Sequence, residues 1–257
     1  MNISDILLGA AIIIAAPAVN RVGEAKAQQI HPNQVVVDSP FVHDPVLAYE
    51  NGKYYLYSTG HGISQMTSAD RKHWTLCREG VLKNHEIPAW THDSVPGFHT
   101  HIWAPDVIHY RNKWYLAYSC STFGKNTSAI GLLSNTSLAN MNGWKDEGCI
   151  LASEGKRDNW NAIDPNFVID DKGNPWMTWG SFWDGIQLVK LDKKTMHVKK
   201  GAKPQTIARR HAFGDASAEL NPTSKFAGTN AIEAPFIMKH GGYYYLFVSW
   251  DYCCRGI

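Results

Sequence analysis

His43-Asp44-Pro45-Val46-Leu47, the turn Glu50-Asn51-Gly52, then Lys53-Tyr54-Tyr55-Leu56-Tyr57-Ser58: this stretch decides the fold, because it recurs. Trp103-Ala104-Pro105-Asp106-Val107-Ile108 leads into Lys113-Trp114-Tyr115-Leu116-Ala117-Tyr118-Ser119. Ile163-Asp164-Pro165-Asn166-Phe167-Val168 turns at Asp171-Lys172-Gly173-Asn174 into Pro175-Trp176-Met177-Thr178-Trp179-Gly180-Ser181. Ile232-Glu233-Ala234-Pro235-Phe236-Ile237 turns at His240-Gly241-Gly242 into Tyr243 to Ser249. Each copy is a carboxylate near a proline, an extended apolar run, a tight turn, and an aromatic strand that ends in small polar residues.

The carboxylates Asp44, Asp106, Asp164 and Glu233 lie 62, 58 and 69 positions apart. Third strands are expected at Gly62 to Ser68, Ala129 to Ser134 and Gly185 to Leu191, and fourth strands around Trp74-Thr75-Leu76, Trp144-Lys145 and His197-Val198. Four antiparallel strands per repeat, with the innermost starting at a polar anchor, is the pattern of a propeller blade. A β-sandwich also has short strands and turns but lacks this phase-locked recurrence. Stacked blades would bring the starts of all inner strands to one end of one channel.

Composition agrees with an all-β fold. Of 257 residues, 44% are hydrophobic, and 10 Trp, 11 Tyr and 9 Phe make 12% of the chain, often in runs suited to strands. Long amphipathic helical patterns are absent, which excludes a helical bundle and a βαβ array. A formal net charge of +2 gives no support to a nucleic-acid groove or a polybasic membrane patch.

The apolar run Ile6 to Val19, followed by Ala25-Lys26-Ala27, reads as a secretory signal peptide over residues 1–27, although Asp5 stands where a basic residue is usual. The expected location is therefore secreted or periplasmic, with no membrane association after cleavage. Residues 28–257 form the catalytic domain in this reading. Cys77, Cys120, Cys149, Cys253 and Cys254 include no C-x-x-C pair with a His partner, so no metal site is expected from them, and they read chiefly as small buried apolar residues.

Convergent carboxylates can hold a hard cation or cleave a glycosidic bond. Asp-x-Asp calcium loops are missing, and Asp170-Asp171-Lys172-Gly173-Asn174 reads as a hairpin turn. Aromatics near the anchors favour sugar, whose apolar faces stack on rings while its hydroxyls need fixed polar partners. Trp103, Phe123 and Trp183 are the expected platforms, with Trp179, Phe182, Asn161, Asn166, Ser181 and Asn230 nearby. Hydrolysis needs one protonated carboxyl and one ionised. Glu233, between Ile232 and Ala234-Pro235-Phe236, has the most apolar setting and reads as general acid; Asp44 reads as base and Asp164 as the neighbouring charge that tunes the acid. Asp106, two residues deeper in its strand, reads as structural.

His43-Asp44-Pro45, Trp103-Ala104-Pro105-Asp106-Val107, Asn161-Ala162-Ile163-Asp164-Pro165-Asn166, Glu233-Ala234-Pro235-Phe236 and Asp251-Tyr252-Cys253-Cys254-Arg255-Gly256 together resemble the arabinanases of glycoside hydrolase family 43, closest to the endo-acting α-1,5-L-arabinanases. The resemblance runs from about Pro40 to the last residue. It implies a five-bladed β-propeller, of which about three and a half blades are present. It also implies inverting hydrolysis with Asp44 as base, Glu233 as acid and Asp164 as pKa modulator. Positions resembling the family's sugar contacts are Trp103, Phe123, Gly124, Asn161, Ala162, Ile163, Ser181, Phe182 and Trp183. No cofactor is expected for the chemistry. The family's calcium remains possible, but the axial His beside it falls outside this chain; His99 and His101 read as surface or rim groups.

The expected partner is plant cell-wall arabinan or its oligosaccharides, and a monomer is expected where the ring is complete. The fourth repeat stops after its second strand, so the chain reads as truncated. Alternatives are an exo-acting α-L-arabinofuranosidase or β-xylosidase of the same fold, a carbohydrate-binding propeller without catalysis, and, more distantly, a calcium-dependent structural propeller.

Overall fold

A computed structural model describes residues 34–210 and 231–251. The expected signal peptide, Asn230, Cys253, Cys254 and most of the Asp251 to Gly256 motif lie outside the described residues. Among those described, the chain is built of strands, with one short 3-10 turn at Lys83–His85 and one helical turn at Thr91–Ser94.

The first sheet takes β1 (Gln34–Val37), β2 (Val46–Glu50) and β3 (Lys53–Ser58); the chain then crosses at β4 (Gly60–His61) before returning as β5 (Ser64–Ser68) and β6 (Trp74–Cys77). Its order is β1-β6-β5-β3-β2, with β1 an outer strand that the repeat did not anticipate. β4 belongs to the second sheet, where it pairs with β7 (His101–Tyr110), followed by β8 (Lys113–Cys120), β9 (Ser128–Asn135) and β10 (Lys145–Ser153). The third sheet is β11 (Asn166–Ile169), β12 (Pro175–Trp179), β13 (Ile186–Lys190) and β14 (Gln205–Ala208); the fourth pairs β15 (Ile232–His240) with β16 (Tyr243–Trp250). One strand moves relative to the sequence expectation. His197-Val198 makes only an isolated bridge from Val198 to Leu191, and Gln205–Ala208 runs beside β13 instead.

Successive inner strands pack side by side, β2 on β7, β7 on β11 and β11 on β15. Two apolar cores lie between sheets, and β8 shows how one strand fills both. Trp114, Leu116, Tyr118 and Cys120 point into the core shared with the first sheet, whereas Tyr115 and Ala117 point into the core shared with the third. A strand covered on both faces reads as a continuous apolar run, which is why its sequence lacks alternation. Gly131 in β9 lets the Tyr118 ring lie against the sheet, since a Cβ there would sit 2.4 Å from Cζ of Tyr118. By contrast, β15 and β16 leave Phe236, Met238, Tyr243, Tyr244, Tyr245, Phe247 and Trp250 exposed.

Polar side chains tie one sheet to the next. Glu50, at the end of β2, accepts from Trp114 Nε1 at 2.7 Å with one oxygen and from Ser137 Oγ (2.7 Å), Leu138 N (2.8 Å) and Ala139 N (3.3 Å) with the other. Burial alone would raise its pKa, but these bonds outweigh it and the net shift is down. Asp106 accepts the Phe167 N–H at 2.6 Å and Asn166 Nδ2 at 3.2 Å, and Asn166 Oδ1 in turn accepts the Ile237 N–H at 2.8 Å. Asp106 thus sits in a buried rail across three sheets.

The backbone corrects the phase of the repeat. Asp44, Ala104, Asp164 and Ala234 all have φ between 41° and 56°, and each precedes a proline. These, at intervals of 60, 60 and 70, are the equivalent positions. Asp106 falls two residues beyond its copy and Glu233 one residue before its own. Left-handed backbone on a residue with a Cβ is strained by about 1–3 kcal/mol and persists where its surroundings over-determine it. Here the preceding sheet does so. The Ala104 N–H donates to Thr59 Oγ1 at 2.8 Å, the Asp164 N–H to Ser119 Oγ at 3.0 Å, and the Ala234 N–H to Asp164 Oδ2 at 3.0 Å.

Candidate active site

Asp44 precedes β2 and is held at both carboxylate oxygens. His43 Nδ1 lies 2.9 Å from Oδ1, and Thr59 Oγ1 donates to Oδ2 at 2.7 Å. The Asp44 side chain keeps 34% of its surface open, so a water molecule can reach it.

Asp164 precedes β11 and directly follows the buried pair Ala162 and Ile163. Its pKa rises to about 8, first through burial and then through the negative charges of Glu233 and Asp44, against the Ala234 N–H that favours the charged form. Glu233, in β15 opposite Ser249, accepts from Ser181 Oγ at 3.0 Å. Its pKa is also raised, by burial first and by Asp44 after it, with Ser181 and His43 pulling the other way. Three acids separated by 120 and 69 positions in sequence therefore feel one another's charge. Both carboxyls are pushed toward the protonated form, and like charges coupled in this way titrate as a set.

Gly180 and Ser181 follow the second strand of the third sheet, which ends at Trp179. The Gly180 N–H donates to the carbonyl of Ile163 at 2.9 Å, and its φ of 131° with Gly185 O 2.3 Å from a would-be Cβ admits only glycine. Phe182 and Trp183 follow with φ of 56° and 39°, and the Phe182 N–H donates to the Ile232 carbonyl at 2.9 Å. This tight turn delivers the Ser181 hydroxyl to Glu233.

The expected sugar contacts divide by exposure. Phe123 is 83% exposed beside Gly124 (φ 74°), and Trp103 and Phe182 are half-buried. Trp183, at 4%, presents only a sliver of surface. Asn161, Ala162, Ile163 and Ser181 are buried, and Asn161 Oδ1 accepts from Ser128 Oγ at 2.7 Å. Trp103 Nε1 donates to His101 Nδ1 at 3.1 Å, which requires that nitrogen to be unprotonated. The His101 pKa is lowered by burial and by His61 and His43. His43, Thr59 and Ser119 were not among the expected site residues, although the recurrent small hydroxyl at the end of each second strand was visible. Among the described residues no group of three or more His, Cys, Asp or Glu side chains could hold a metal ion.

The sequence model described as glycosyl hydrolases family 43 matches residues 34–256. An extracellular exo-α-(1→5)-L-arabinofuranosidase of Cellvibrio japonicus is 42% identical over 217 residues, covering 83% of this chain and 60% of the relative. An extracellular endo-α-(1→5)-L-arabinanase of Bacillus subtilis is 40% identical over 220 residues, covering 84% and 61%. Among solved structures, an exo-1,5-α-L-arabinanase from a bovine ruminal metagenomic library is 51% identical with a TM-score of 0.73, covering 90% of this chain and 70% of that one. A Cellvibrio cellulosa α-L-arabinanase complexed with arabinohexaose is 41% identical with a TM-score of 0.74, covering 83% and 66%. The chain spans about three fifths of the length of the curated relatives it matches.

Proposed function

The chain belongs to glycosyl hydrolases family 43, and from that premise we propose that it hydrolyses α-1,5-L-arabinan with inversion, acting within the polymer. One observation carries the reading: Asp44, Asp164 and Glu233 share one electrostatic site at the starts of three inner strands, where two of them have raised pKa values. In this mechanism Glu233, oriented by Ser181, protonates the leaving oxygen. Asp44, held by His43 and Thr59, takes a proton from the attacking water on the opposite face of the sugar. Asp164 keeps the shared proton available to Glu233. No step needs a metal. Phe123 and Trp103 offer ring faces to the sugar.

Relatives bearing exo names favour a second reading, release of single arabinose units from chain ends. Digestion of debranched arabinan separates the two. Oligosaccharides of mixed length at early times support endo action, and arabinose alone supports exo action. Early NMR detection of the retained anomer would refute inversion, which needs carboxyls roughly 6.5–9.5 Å apart to admit the water. The proposal extends to export, supported by the apolar run before Ala27 and by relatives named extracellular. An N-terminus mapped to the cytoplasmic form, with no material outside the cell, would refute it.

A further inference from the structure

Thr59 stands where the chain leaves the first sheet for the second. β3 ends at Ser58, while Gly60 and His61 already pair with Ile102 and His101 of β7. Its backbone N–H donates to the His43 carbonyl at 3.0 Å, which fixes it beside the residue preceding Asp44. Its hydroxyl has a single proton and two lone pairs. One lone pair receives the Ala104 N–H at 2.8 Å, and the proton goes to Asp44 Oδ2 at 2.7 Å. The acceptor side being taken by the second sheet, the hydroxyl is oriented as a donor to the carboxylate.

We propose that Thr59 is a positioning residue for Asp44, holding the carboxylate of the base in register with the strained anchor of the neighbouring sheet. The inference rests on the reading of Asp44 as base and adds the device that aims it. The physical need is specific. Asp44 has left-handed backbone and a side chain one third open to solvent, so its χ angles are not fixed by packing alone. His43, the partner of the other oxygen, is itself 59% exposed. Thr59 is the partner held between both sheets, its neighbours Ser58 and Gly60 lying in the first and the second and its hydroxyl accepting the Ala104 N–H. In this position a hydroxyl fulfils both roles and an isosteric methyl neither.

The test compares wild type, Thr59→Val, Thr59→Ser and Asp44→Asn on linear arabinan. Thr59→Val should lower kcat by about 10- to 100-fold, the scale of a base misplaced by about an ångström, with KM within about twofold. Thr59→Ser should recover kcat to within about threefold of wild type. A Thr59→Val enzyme at wild-type kcat, or a Thr59→Ser enzyme as slow as Thr59→Val, overturns the positioning role. An active Asp44→Asn enzyme overturns the reading of the base instead. A crystal structure of Thr59→Val supplies a readout independent of activity: the Asp44 carboxylate should leave its wild-type rotamer, and an unmoved carboxylate also overturns the inference.

Discussion

Asp164 Oδ2 accepts the backbone N–H of Ala234 at 3.0 Å, so one carboxylate of the site is bonded to the residue that follows another. The contact crosses from the third sheet to the fourth and spans 70 positions. It does two things at once. It satisfies the N–H of a residue with φ of 51°, and it ties Asp164 to the residue directly after Glu233. The strain of the anchor and the electrostatics of the proton-holding pair thus share a single hydrogen bond.

Replacing Asp164 by Asn removes one charge from that pair. The charge raises the pH at which the pair gives up its last proton, so its loss lowers that pH. The high-pH limb of the kcat/KM profile should move toward acid by about one unit or more. A limb that stays in place would show that Asp164 does not tune Glu233.

The same substitution should stabilise the fold at alkaline pH. Folding raises the pKa of Asp164 from 3.8 to about 8, so the folded chain holds this proton more tightly than the unfolded chain. That stabilisation is complete below about pH 4 and is lost as pH rises toward 8. The Asn variant has no such loss. Its Tm at pH 8 should exceed wild type by at least about 3 °C, with the gap narrowing as pH falls toward 4. Equal melting curves at pH 8 would contradict the burial cost assigned to this carboxyl.

Glu233→Gln and Asp44→Asn should respond differently to the leaving group. A substrate whose leaving group departs without protonation bypasses the acid but not the base. We expect Glu233→Gln to lose about 100-fold or more on arabinan and much less on an activated aryl arabinoside, while Asp44→Asn fails on both. Parallel losses across the two substrates would reverse the assignment.

Glu50 offers a test of the scaffold. Its oxygens face only donors: Trp114 on one side, Ser137, Leu138 and Ala139 on the other. A Gln there must turn its NH2 toward one of these sets. Glu50→Gln should therefore destabilise by about 2–3 kcal/mol, read as a lower urea midpoint with unchanged slope. A midpoint equal to wild type would mean the latch between the first two sheets contributes little.

Several strands of the first two repeats lie within a residue or two of where turn chemistry and apolar runs placed them, as with Lys53–Ser58 and Trp74–Cys77, whereas β10 runs on to Ser153, eight residues past Lys145. Local pattern decides these, because a tight turn at Asn51-Gly52 and a run of aromatics are properties of adjacent residues. The fourth strand of the third sheet escaped this reading. Gln205–Ala208 is short and half-exposed, and its pairing with β13 depends on a long connection rather than on its own sequence.

The candidate acids and the anchor motif were likewise present in sequence, since a proline beside a carboxylate at the start of an inner strand repeats along the chain. Asp106, two residues deeper in its strand, already reads as structural, and the structure shows the device: a buried link to Asn166 and Phe167. Trp183 reads as a platform until packing covers it, and Thr59 reads as the end of a strand until its hydroxyl meets Asp44. Most inner and second strands are legible from neighbouring residues, because hydrogen-bonded turns and alternation act over a few residues. The raised pKa values of Asp164 and Glu233 come from the fold, because burial and Coulomb forces act through space between groups that the chain holds far apart.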